Sequence, residues 1–79
     1  MRLYGYEQSA GSSNREPKAL IEATLVASPA ELRRIAGFLQ EAASRMEQMG
    51  SAFDHEHLAD KHPGFSESPS FVVAAASEV

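Results

Sequence analysis

Apolar residues in this chain change period three times, and each change marks a different element. Residues 2–7 alternate, with Tyr4 and Tyr6 on one face and Leu3 on the other, the pattern of a short strand. Gln8 to Pro17 is rich in Ser, Gly, Asn and Pro, a turn-forming connection too long for a tight hairpin. Residues 18–27 alternate again: Ile21, Ala23 and Leu25 point one way and Leu20, Glu22, Thr24 and Val26 the other. A hairpin of these two strands is expected.

From Leu32 the period becomes helical. Leu32, Ile35, Ala36, Leu39, Ala42, Ala43, Met46 and Met49 recur at steps of three and four, while Arg33, Arg34, Gln40, Glu41, Ser44, Glu47 and Gln48 fill the opposite side. Ser28-Pro29-Ala30-Glu31 supplies a capping serine, a proline at the first helical position and a glutamate that can close a capping box. Gly50 suits the stop. These signals predict a helix over 29–49.

After the helix, 51–69 reads as a long loop broken by Pro63-Gly64 and Pro69. A last strand over 70–76 follows, in which Phe71-Val72-Val73-Ala74-Ala75-Ala76 is apolar on both faces and so reads as centrally placed. The expected architecture is α+β: a small three-stranded sheet with one long amphipathic helix packed on one face, in the order ββαβ. The whole of 1–79 is expected to be one domain, near the size at which a single core is only marginally stabilising. One helix covers one face of such a sheet, so the other needs the long loop or a second subunit, and a homodimer is a possible solution.

Charge changes the picture in the later part. Residues 1–50 balance six basic against six acidic side chains. Residues 51–79 set Lys61 alone against Asp54, Glu56, Asp60, Glu67 and Glu78, and so hold all of the net charge of −4. That argues against nucleic-acid binding, which needs a basic footprint, and suits a basic protein partner. No stretch approaches the roughly 20 apolar residues of a membrane span, and there is no secretory apolar segment at the N-terminus. With no cysteine there is no disulfide or thiolate metal site, and a cytoplasmic protein is the default expectation.

The candidate chemistry lies in Phe53-Asp54-His55-Glu56-His57-Leu58-Ala59-Asp60-Lys61-His62, which holds all three histidines. If extended, this segment puts His55 and His57 on one side, where they and His62 are conceivable ligands for a divalent ion. His-Glu-His lacks the spacing of two ligands on one helical turn, and no second ligand cluster exists, so no metal or cofactor is implied. There is no cysteine nucleophile, phosphate loop or nucleophile elbow, and the reading is of a non-enzyme. The plainer alternative is that the imidazoles hydrogen-bond nearby carboxylates while Phe53, Leu58 and Phe65 pin the loop to the core.

Leu25-Val26-Ala27-Ser28-Pro29-Ala30-Glu31-Leu32-Arg33, Ala36-Gly37-Phe38-Leu39, Ala42-Ala43-Ser44-Arg45-Met46 and Phe53-Asp54-His55-Glu56-His57-Leu58-Ala59-Asp60 together resemble the immunity protein 32 family of bacterial polymorphic-toxin systems. The resemblance covers roughly residues 18–76, with His-x-His-Leu-x-Asp as its distinctive part. It implies a cytoplasmic protein encoded beside a toxin, which it binds and blocks. It carries no established contact residues. From the charge pattern, the expected partner-binding residues are Asp54, His55, Glu56, His57 and Asp60, with the three carboxylates facing basic groups of the toxin. A small metal-binding module and a dimeric structural domain are the alternatives.

Overall fold

In the computed structural model, which describes residues 1–8 and 17–76, the elements run β1 (Arg2–Glu7), β2 (Leu20–Val26), α1 (Pro29–Met49), β3 (His55–His57), α2 (Leu58–Lys61) and β4 (Val72–Ala74). Short 3-10 turns at Gly50–Ala52 and Pro63–Phe65 join the later elements. Most of the expected Gln8–Pro17 connection lies outside the described residues.

The helix forms where its local signals place it. Ser28 Oγ accepts from the Glu31 amide at 3.1 Å, and Glu31 Oε1 accepts from the Ser28 amide at 2.9 Å, so two of the otherwise unpaired donors of the first turn are satisfied. The helix ends at Gly50, whose φ of 55° is a conformation that side chains with a Cβ rarely adopt.

β1 and β2 pair antiparallel as expected, from Arg2↔Val26 to Tyr6↔Glu22, after which the register slips and Glu7 pairs with Leu20. Ile21 is the extra residue of this bulge, which throws Leu20 across Gly5. A Cβ on Gly5 would lie 2.8 Å from a Leu20 methyl, so only glycine fits there without movement.

The expected single three-stranded sheet in the order ββαβ is not what forms. There are two two-stranded sheets, β1–β2 and β3–β4, and the described order is ββαβαβ with α2 as a single turn. The extra strand comes from the segment expected to be loop: His55 pairs with Ala74, Glu56 with Val73 and His57 with Val72. Because β3 is only three residues long, β4 is also cut to three, rather than running over 70–76, and it is not a central strand. The Leu58 amide then donates to the Phe71 carbonyl at 2.8 Å, and the chain turns into α2.

The core lies between α1 and this later segment. Ile35, Phe38, Leu58 and Phe65 form one buried cluster, with Met1, Leu25, Phe71 and Val73 packed against it. Phe38 is 0% exposed and is the largest buried side chain together with Leu58. Ala42 and Phe53 are also buried. The buried face of α1 is therefore Ile35–Phe38–Ala42, rotated from the expected stripe, and Leu32, Leu39 and Met49 stay exposed. Phe38 lies three residues after Ile35 and four before Ala42, so it fits a helical stripe as well as Leu39 does. Burial favours the larger side chain.

The hairpin meets this body at its open end. Leu25 reaches the cluster, and the Met1 amine donates to Glu31 Oε2 at 2.8 Å and to Ser68 Oγ at 3.0 Å. That amine, with the Ser28 amide, holds the Glu31 carboxyl down at about 2. Among the described residues no helix is long and apolar enough to cross a membrane.

Candidate functional site

β3 is held between two buried anchors, Phe53 before it and Leu58 after it. Between those two anchors the polar residues alternate. His55 and His57 share one side of the strand, their rings edge-on with centroids 5.1 Å apart. Glu56 points the other way, to the helix, and there Arg45 Nε and Nη2 each donate to one of its oxygens at 2.6 Å.

This fork is the tightest ion pair of the molecule's described part. Both groups are partly covered, the Glu56 side chain being 13% exposed. Two parallel charge-assisted bonds fix the angle between α1 and β3 as well as their distance. The Arg45 guanidinium lowers the Glu56 carboxyl below its ordinary range, and Glu56 in turn raises Arg45. Glu41, one turn earlier on α1, lies 3.9 Å from Arg45 and adds a weaker attraction.

Glu56 therefore departs from the expectation of three outward carboxylates: its charge is already answered within the chain. Asp54 and Asp60 do face outward. The Asp54 side chain is 91% exposed, and the neighbouring His55 places its Nδ1 2.8 Å from Oδ2. Asp60 is exposed in the single turn of α2 and forms no ion pair among the described residues. The segment is thus extended at 55–57 and helical at 58–61, so neither of the two simple readings covers it.

His62 lies apart from the other two histidines in role. Its ring meets Phe38 edge-on at 6.3 Å, and its Nε2 is buried without a hydrogen-bond partner. The conceivable ligand set of His55, His57 and His62 is not assembled: among the described residues no group of three or more His, Asp or Glu side chains is placed to hold a metal ion. The described residues also enclose no pocket. The exposed Asp54, His55 and Asp60 therefore stand on an open ledge.

Sequence reasoning missed Arg45. Its partner is eleven residues away across a turn, and no helical or strand spacing links the two positions. Only the packing of Phe53 and Leu58 brings them together.

The chain matches the family model of Immunity protein 32 over residues 22–76, more than two thirds of its length. It belongs to the Immunity protein 32 family. The matched span holds α1, β3, α2 and β4, and so contains the whole ledge and Arg45 with it. It begins inside β2 and leaves β1 out. No curated protein and no solved structure matches the chain. Family membership points to an immunity-type inhibitor role.

Proposed function

We propose that this protein neutralises a cognate bacterial toxin by binding it, without catalysis, through the ledge that carries Asp54, His55, His57 and Asp60. The observation that carries this reading is the pair of outward carboxylates on an open surface, anchored by the buried Phe53 and Leu58, inside the region shared with the immunity family. Asp54 and Asp60 meet basic groups of the toxin, and the edge-on His55 and His57 rings add hydrogen bonds beside them. Glu56 belongs to the support: its fork to Arg45 holds β3 at a fixed angle so that the contact groups are preorganised. Preorganisation lowers the ordering cost of binding.

The test is a titration of the purified chain against the toxin domain encoded beside it. Exposed charges at an interface act largely on association rate and salt dependence. Asp54→Asn with Asp60→Asn is expected to weaken the complex at least tenfold, on the order of 1.4 kcal/mol, with most of the loss in the association rate. Undiminished affinity in the double variant removes the ledge from the mechanism. Absence of any complex with the wild-type chain removes the inhibitor reading itself.

A further inference from the structure

The apolar stripe of α1 is wider than the face that the fold buries. Ile35, Phe38 and Ala42 turn inward. Leu32, Ala36, Leu39, Ala43 and Met46 form a second line beside them. Among the described residues this line lacks a cover: Leu32 is 46% exposed and Leu39 42%, Ala36 and Ala43 are exposed, and Met46 is half-buried. Its steps are four, three, four and three residues. That strict alternation is the seam of a coiled coil rather than the broader face of a helix lying on a sheet.

We propose that the occupant of this seam is a second copy of the chain, whose α1 lies antiparallel along it. Three observations select that occupant. The first is the flank of the seam, where side chains meet across a helix pair and set its partner and direction. On the flank away from the buried face stand Arg33, Gln40 and Glu47, one heptad apart and all exposed. In an antiparallel pair these positions meet in reverse order. Arg33 of each copy then lies beside Glu47 of the other, and Gln40 meets Gln40 at the two-fold axis. Opposite charges meet twice. A parallel pair would instead set Arg33 beside Arg33 and Glu47 beside Glu47.

The second is that these charges are unanswered within the chain. Among the described residues neither Arg33 nor Glu47 has an ion partner, whereas Arg45, on the other side of the helix, is engaged by Glu56 and Glu41. The third is the dipole of the helix itself. The last turn of α1 holds no basic residue and carries Glu47, a carboxylate at the negative end. In a single chain that placement is unfavourable. An antiparallel partner brings its positive N-terminal half, with Arg33, to this turn.

The small Ala36 and Ala43 let the two helices approach closely, and Leu32, Leu39 and Met46 supply the apolar area. The contact is isologous and closes at two copies. β3 is tied to α1 through Arg45, on the far side of the helix from the seam, so the toxin-binding ledge and the seam are separate surfaces.

Sedimentation equilibrium of the purified chain at 1–100 µM tests this, and the wild type is expected at twice the chain mass. Gln40→Glu and Gln40→Lys are each expected to raise the dimer dissociation constant about tenfold, because a charge on the axis meets its own copy whatever its sign. Arg33→Glu and Glu47→Arg each bring like charges together and are expected to weaken the dimer about tenfold, while Arg33→Glu/Glu47→Arg restores it. These side chains are exposed in the single chain, so folding is not at stake. Leu39→Lys, in the seam itself, is expected to weaken the dimer about a hundredfold. Asp54→Asn/Asp60→Asn leaves it intact. A wild type that stays monomeric at 100 µM overturns the proposal, and loss of the toxin complex on Leu39→Lys in that monomer would assign the seam to the toxin instead. A dimer indifferent to charge at Gln40, or one that the double reversal does not restore, overturns it too.

Discussion

The hairpin and the long helix of the body start from equally clear secondary-structure patterns and end in opposite conditions. In the body, α1 lays Ile35 and Phe38 against Leu58, Phe65 and Val73, and the polar fork from Arg45 to Glu56 joins α1 to β3 beside them. In the hairpin, alternation puts side chains on two faces, and only Leu3 and Leu25 find partial cover. A regular pattern of polar and apolar positions thus specifies an element but not what buries it. The body carries its own opposing layer within the next thirty residues of chain. The hairpin does not, and Tyr4, Tyr6 and Ile21 stay exposed on it.

Truncation separates the two regions most sharply. Phe38→Ala removes the most buried aromatic side chain and is expected to lower stability by about 3–5 kcal/mol in chemical unfolding. Tyr6→Ala, at a side chain that is 67% exposed, is expected to change it by less than about 0.5 kcal/mol. Equal losses at the two positions would erase the distinction drawn here. Gly50→Ala forces a Cβ onto a positive φ at the end of α1 and is expected to cost about 1–3 kcal/mol. Ser28→Ala opens the capping box and is expected to cost about 1 kcal/mol. Smallest and opposite in sign is Gly37→Ala: nothing lies within 4 Å of the added methyl, so helix propensity alone should stabilise by about 0.5–1 kcal/mol.

Acid sharpens the same comparison. Glu31 and Glu56 both have folded-state pKa values below their unfolded ones, so each contributes stability that is present above the ordinary carboxylate range. That contribution is lost as pH falls through the ordinary range toward the folded values, which for Glu31 means toward about 2. Thermal melts from pH 7 to pH 2 should show this decline. Arg45→Met should flatten the part that comes from Glu56, and Glu56→Gln should lower the melting temperature more than Glu41→Gln. No difference between those two glutamines would mean that the fork does not hold β3.

Most of α1 was legible because its signals are local: a cap, a proline, a periodic stripe and a glycine all act within one or two turns. The β1–β2 pairing was legible for the same reason, from alternation on either side of a turn-rich stretch. The β3–β4 sheet was not. Three residues, His-Glu-His, show no apolar alternation, and their pairing with Val72–Ala74 accompanies the burial of Phe53, Leu58 and Phe65, which no local spacing announces. The buried face of α1 was misread by one ridge, since Phe38 and Leu39 fit helical spacing equally and only tertiary packing chooses between them. At the site, the clustering of His and Asp/Glu was visible at once, yet the sequence could not separate Asp54 and Asp60 from Glu56. That separation depends on Arg45, which approaches Glu56 only after the chain has folded back.

Amide hydrogen exchange of the purified chain addresses the contrast between the two regions most directly. Ile35–Ala42 in the body should be strongly protected, and Leu3–Tyr6 and residues 22–25 should exchange at least a hundredfold faster. Hairpin amides protected to the same degree as those of Ile35–Ala42 would contradict it, because the hairpin would then share the stability of the body.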